Sequence, residues 1–158
     1  MAEFSHLGAD GEVRMVDVSE KQETARTATA EAFVTLRPEV RRRLFAGELP
    51  KGDALASVRL AAIMAAKKTP ELVPLCHPLP LTGITVSVEE VGPGARIVAS
   101  VSTTARTGVE MEAMTAVSVG ALALYDMVKG VDKGVEIGPI RLLEKSGGRS
   151  GTWRREPD

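Results

Sequence analysis

From Thr24 to Leu36 the small and apolar residues Ala28, Ala30, Ala32, Val34 and Leu36 alternate with Thr27, Thr29, Glu31, Phe33 and Thr35. A period of two places the two sets on opposite faces of a β-strand, with Phe33 as the break in the polar register. Pro38 then opens a short helix that Gly47 closes, with Val40, Leu44 and Phe45 at helical spacing and Arg41-Arg42-Arg43 read as a solvated face. Asp53 is placed to cap a second helix reaching about Lys67, whose stripe is Leu55, Val58, Ala62, Ile63 and Ala66. Thr69-Pro70-Glu71 starts one further helical turn.

The period returns to two where Ile84, Val86 and Val88 alternate with Thr85, Ser87 and Glu89. Gly92-Pro93-Gly94 turns the chain, Arg96 to Thr104 alternates again, and an antiparallel hairpin follows. Thr103 to Gly108 reads as a polar loop. Val109 to about Lys129 is the longest helix, with Ala113, Val117, Ala121, Leu124 and Val128 on one side and Gly120 as an interior weakness. Val135, Ile137, Ile140 and Leu142 supply a last strand. The order strand, two helices, hairpin, helix, strand predicts an α+β fold: a ferredoxin-like antiparallel sheet with helices packed on one face. Contacts with further copies of the chain are expected to cover the other face.

Composition narrows the classes. With 158 residues, 44% of them hydrophobic, one domain is expected over 15–151, between a polar N-terminal arm over 1–14 and a tail over 152–158. Three Phe, one Tyr and one Trp leave a core of small aliphatic residues and no aromatic platform for stacking bases. Together with a formal charge of −1, this argues against a nucleic-acid partner. One Cys excludes an internal disulfide, and with two His in the chain a Cys/His zinc cage is out of reach, so no metal is expected. The first ten residues lack the pattern of a signal peptide, and no apolar run is read as approaching the ~20 residues of a membrane helix. The expectation is a cytoplasmic protein with no membrane partner.

Lys67 to Pro80 concentrates the single Cys, one of the two His and four of the nine Pro. Pro74 and Pro78 restrict Leu75-Cys76-His77 from both sides, so the imidazole is held in a set direction. Glu110 and Glu112 fall in the first turn of the long helix, where its dipole favours carboxylates. Asp126 and Lys129 lie three apart on one face at its other end. Lys51 precedes a helix start, from which a cation can reach an anion near free N–H groups. Arg26, Lys67 and Lys145 recur at loops and element ends as further candidate phosphate partners. Lys145 to Gly151 has the composition of a phosphate loop but not its order, so an ATPase is rejected.

The strings Met15-Val16-Asp17-Val18-Ser19, Lys51-Gly52-Asp53, Pro74 to Pro80, Thr107-Gly108-Val109-Glu110-Met111-Glu112-Ala113, Tyr125-Asp126-Met127-Val128-Lys129 and Arg141 to Gly148 together resemble the cyclic pyranopterin monophosphate synthase family of molybdenum cofactor biosynthesis. The resemblance implies that a cyclic dihydro-GTP intermediate is converted to cyclic pyranopterin monophosphate with release of diphosphate, which makes the enzyme a lyase. It also implies a homohexamer built as a trimer of dimers. Its catalytic positions fall on Asp126, Lys129 and Lys51, with Leu75, Cys76, His77, Met111, Glu112, Glu110, Asp17, Arg26, Lys67 and Lys145 around the substrate. Asp126 is expected to be a general base and Lys129 an acid with a lowered pKa, while cations such as Lys51, Arg26 and Lys67 meet the departing diphosphate. No cofactor is expected, and the sequence leaves open a divalent cation such as Mg. Two other readings stay open: a non-catalytic ferredoxin-like domain that binds a phosphorylated purine metabolite, and a Cys76 nucleophile with His77 as its base.

Overall fold

The computed structural model describes residues 10–157, so the first nine residues of the arm expected over 1–14 lie outside the described residues. The elements in chain order are β1 (Thr24–Thr35), α1 (Pro38–Phe45), α2 (Ala54–Lys67), α3 (Thr69–Leu72), β2 (Leu81–Val91), β3 (Gly94–Ala105), α4 (Glu110–Val128), β4 (Glu136–Ser146) and β5 (Trp153–Arg154). They form one open sheet in the order β2-β3-β1-β4-β5, with every neighbouring pair antiparallel. Strands β1 to β4 thus take the expected ferredoxin-like order, and β5 adds a short edge from the segment read as a tail.

The alternation in β1 has the anticipated effect. Ala28, Ala30, Ala32 and Val34 are buried under the helices, opposite Val101, Ala99, Ile97 and Ala95 of β3. α4 lies on β1 and β3, and α2 packs beside it and reaches β2. Ala113, Val117, Ala121, Leu124 and Val128 are all fully buried, and Ala116 and Gly120 join that side. A β-carbon at Gly120 would lie 3.4 Å from Ala62 Cβ and 3.5 Å from Ile97 Cγ2. The glycine therefore admits close packing, and α4 runs unbroken through it. Contrary to the sequence expectation, α4 is long and apolar enough by composition to cross a membrane. Its apolar side is instead buried in the core.

Local chemistry sets the element ends. Asp53 Oδ1 accepts from Ala56 N at 2.9 Å, the predicted cap of α2. Gly94 follows the hairpin turn where β3 meets the end of β1, and any β-carbon there would collide with the Val34 carbonyl. Thr103 and Thr104, where the strand and loop readings overlapped, and Ala105, read as loop, all belong to β3, and the buried Thr103 donates to the Pro80 carbonyl at 2.7 Å. The Arg41-Arg42-Arg43 run is less free than a solvated face: Arg41 pairs with Glu90, Arg42 with Glu48, and Arg43 donates to the Glu48 carbonyl.

The sheet face away from the helices carries its own polar lattice. Thr29 and Ser100 hydroxyls lie 2.7 Å apart, as do those of Thr27 and Ser146. Two residues beyond Thr29 on the same face, Glu31, 2% exposed, accepts from Arg96 Nε at 2.6 Å and from Arg141 Nε at 2.7 Å. The Arg141 guanidinium also stands 5.9 Å from the centre of the Phe33 ring, which accounts for the large apolar residue in the polar register. Large exposed apolar side chains gather instead on the outer side of the helices, at Leu60, Met64 and Leu122.

Burial opposes ionisation of Glu31, but hydrogen bonds from Arg141 and Arg96 outweigh it and hold its carboxyl below the usual range. Glu31→Ala would leave two guanidinium groups facing each other, and we expect a loss of about 3 kcal/mol in denaturant unfolding at pH 7. Because the folded-state pKa is depressed, the carboxylate's contribution is present above the ordinary glutamate pKa and is lost as pH falls through the folded one. The gap between wild type and variant should therefore narrow under acid conditions; a gap independent of pH would contradict the assignment.

Candidate active site

The candidate residues fall into two main groups at opposite ends of α4. At its C-terminal end, Asp126 is in the last turn and Lys129 caps the helix. Lys129 Nζ lies 2.6 Å from Asp126 Oδ1. Lys51, in the loop before α2, reaches the same residue from 75 positions away, at 3.0 Å from Oδ2 and 2.6 Å from the main-chain oxygen. One carboxylate thus holds two ammonium groups, and all three side chains are about half exposed.

This pairing lowers the Asp126 pKa through hydrogen bonds from Lys129 and then Lys51, and raises that of Lys129 through its bond to Asp126. The expected lowering of the Lys129 pKa is thereby reversed. The physical reason is that a carboxylate at bonding distance stabilises the ammonium, and neither group is desolvated enough to counter this. Asp126 is ionised and Lys129 protonated, which are the starting states of a base and an acid. Their mutual attraction weakens each in that role until a ligand parts them.

At the N-terminal end of α4, the Pro-fixed corner after α3 faces the helix start across a cavity of about 330 Å³. Leu75, Cys76, His77, Glu110, Met111 and Glu112 all line it, so six of the expected substrate residues converge here. Glu112 is only 3% exposed. Burial pushes its carboxyl upward against its own backbone N–H, with the Glu110 charge adding to the rise. Burial, reinforced by Glu112, also raises the Cys76 pKa. Cys76 is therefore a protonated thiol at neutral pH, which disfavours the nucleophile reading. Lys145 reaches this end from β4 and pairs with Glu110 at 2.6 Å.

The remaining residues spread outward. Asp17 and Arg26 line an adjoining cavity of about 710 Å³ with Lys21, Gly148 and Arg149. Arg26 already donates to the carbonyls of Ala105 and Arg106, and Gly148 passes so close to its guanidinium that a β-carbon would overlap it. Asp17 accepts from the Ser19 hydroxyl and backbone N–H, which lower its pKa. Lys67 is not brought to either group. It lines a separate hollow with Ile63, Leu81 and Ile84 that shares only Leu79 with the Glu112 cavity. Lys21 was not among the candidates, yet it lines both the Glu112 and the Arg26 cavities. Its position four residues after Asp17, inside a non-periodic stretch, gave no signal of this. Among the described residues, no group of three or more His, Cys, Asp or Glu is arranged to hold a metal ion.

Glu112→Gln tests the burial effect. A carboxyl whose folded pKa is raised destabilises the fold as pH climbs above its unfolded value. The variant should thus unfold at a higher temperature than wild type at pH 8 and at the same temperature near pH 4. Equal midpoints at both pH values would show that Glu112 is not desolvated.

Comparison with known proteins places this geometry in context. The model of the MoaC family matches residues 15–148. The cyclic pyranopterin monophosphate synthase of Corynebacterium glutamicum is 58% identical over 153 residues, covering 97% of this chain and 98% of that protein. The synthase of Thermomicrobium roseum is 58% identical over 160 residues, covering 100% and 96%. That of Methylobacterium sp. (strain 4-46) is 55% identical over 159 residues, covering 99% of each.

Proposed function

Because the chain belongs to the MoaC family, we propose that it has cyclic pyranopterin monophosphate synthase activity, with Asp126, Lys129 and Lys51 as the catalytic group. The observation that carries the reading is the convergence of Lys129 and Lys51, drawn from two distant segments, on the one carboxylate of Asp126. In the reaction a cyclic dihydro-GTP intermediate becomes cyclic pyranopterin monophosphate and diphosphate, a phosphorus–oxygen lyase step. A hydroxyl oxygen of the substrate bonds to the α-phosphorus, the bond from that phosphorus to the diphosphate oxygen breaks, and the hydroxyl proton needs an acceptor. Asp126 is the ionised acceptor. Lys129 and Lys51 are the protonated partners, able to give a proton or to hold the growing phosphate charge.

The reaction also rearranges the purine-derived ring, and the Cys76, His77 and Glu112 cavity suits that end of the substrate. Glu112 and Asp126 are fourteen residues apart on an unbroken helix, which separates them by about 21 Å along its axis at azimuths only about 40° apart. One chain does not easily bring both to the same reacting atoms. The reading that follows is a site shared between two copies, with Asp126 and Lys129 from one and His77 and Glu112 from the other, in a cytoplasmic homohexamer. The exposed Leu60, Met64 and Leu122 offer apolar surface for such contacts.

Incubating the pure protein with the cyclic dihydro-GTP intermediate should release diphosphate. Tight binding of the intermediate without turnover would favour the non-catalytic binding domain instead. Asp126→Ala and Lys129→Ala should each lower turnover by at least ~100-fold in a folded protein, whereas Cys76→Ser should keep most of the activity. Hexamers dissociated and reassembled from Asp126→Ala and Glu112→Ala chains should regain activity, since some interfaces then receive two intact halves. Mixed hexamers verified by mass that stay as inactive as their parents would refute the shared site.

A further inference from the structure

We propose that His77 serves the reaction as a positioning residue: its imidazole ties the segment before β1 to the Pro-fixed corner and so sets Lys21 at the meeting point of the two cavities and Asp17 on the wall of the one with Arg26. This rests on the reading of the site given above, and it gives His77 a second task besides lining the substrate cavity. His77 Nε2 lies 2.8 Å from the Val16 main-chain oxygen. A carbonyl can only accept, so Nε2 carries the hydrogen and His77 is the donor. The donor is well anchored, because Pro74 and Pro78 limit the backbone on either side of Leu75-Cys76-His77.

What His77 holds is a small self-stiffened unit. Residues 14–23 contain neither helix nor strand. Within them Lys21 N donates to Val18 O at 3.0 Å, and Asp17 Oδ1 accepts from the Ser19 hydroxyl at 2.6 Å and from its backbone N–H at 2.8 Å. These bonds fix the shape of the turn but not its place on the protein. The bond to Val16 ties it to the corner after α3. Val16 and Val18 then wall the cavity that holds Cys76 and Glu112, while Lys21 lines this cavity and also the one with Arg26 and Arg149.

Lys21 has no side-chain hydrogen bond or ion pair among the described residues, unlike Lys51, Lys129 and Lys145, each of which is bonded to a carboxylate. An ammonium without a partner, placed where two cavities join, is suited to the polyphosphate of a ligand that spans both. Releasing the turn would move this cation and Asp17 together while leaving the Glu112 cavity's other walls in place.

The test compares wild type with His77→Ala, His77→Gln, Lys21→Ala and the His77→Ala/Lys21→Ala double variant. The Gln amide N–H can reach the same carbonyl. In His77→Ala, tryptic cleavage after Lys21 should run at least about fivefold faster, because the site is cut from the released state. KM for the cyclic dihydro-GTP intermediate should rise about tenfold. His77→Gln should restore both, and Lys21→Ala should raise KM by a similar factor. If His77 acts by placing Lys21, the double variant should be no more than about twofold worse than either single one. Unchanged cleavage in His77→Ala, KM losses that multiply in the double variant, or a His77→Gln protein with normal cleavage and uncorrected KM would each overturn the proposal. Should His77→Ala not fold, His77→Met offers similar bulk without a donor. If wild type formed no cyclic product, the functional reading would fall, while the cleavage comparison would still decide whether His77 ties the turn.

Discussion

Close packing of α4 against small residues is the constraint on which the rest of the molecule depends. Ala28, Ala30 and Ala32 of β1 and Ala99 of β3 present a nearly flat floor, and Ala113, Ala116, Gly120 and Ala121 let the helix settle onto it. Interiors at crystal-like density tolerate little change in volume, so this seam fixes both the height and the rotation of α4. With only five aromatic residues in the chain, it does so without large side chains as spacers. An unbroken helix held this firmly does not bring its two ends together. The chemical groups at those ends are separate by construction, which is why the functional reading calls for two copies.

Two carboxylates on that one helix show how environment, not residue type, sets charge. Asp126, half exposed and gripped by two lysines, is held ionised. Glu112, almost wholly buried beside Cys76 and near Glu110, is pushed towards its neutral form. Glu31 gives a third outcome: it is as buried as Glu112, yet ionised, because Arg141 and Arg96 supply the hydrogen bonds that water would have supplied.

The corner at Leu75-Cys76-His77 links fold and site. Prolines on each side remove backbone freedom before any tertiary contact forms. The corner can therefore serve as a fixed wall for the cavity and a fixed post for the segment before β1. Rigidity here is local in origin, and it is the main reason why a short irregular stretch can carry positioned chemistry at all.

Much of the fold was legible in the sequence. Alternation in β1 and in the hairpin, the five-residue stripe of α4 and the Asp53 cap each report a local rule: which side of an element is buried, or where its first N–H groups find a partner. The family strings carried the candidate residues along with them. β5 was not legible, because two residues are too few to show a period and its pairing depends on β4 lying alongside. The burial of Glu31 and the role of Phe33 escaped for a similar reason, since both are explained by Arg141, 110 positions from Glu31. The Lys129 pKa was misjudged because the spacing to Asp126 showed that the two could meet, but not that they would bond in the open with Lys51 as a third member. Lys21 gave no sequence signal. Periodicity, caps and prolines act between near neighbours, so the chain itself determined them; charge states and cavities depend on groups brought together through space, and only the tertiary structure decided those.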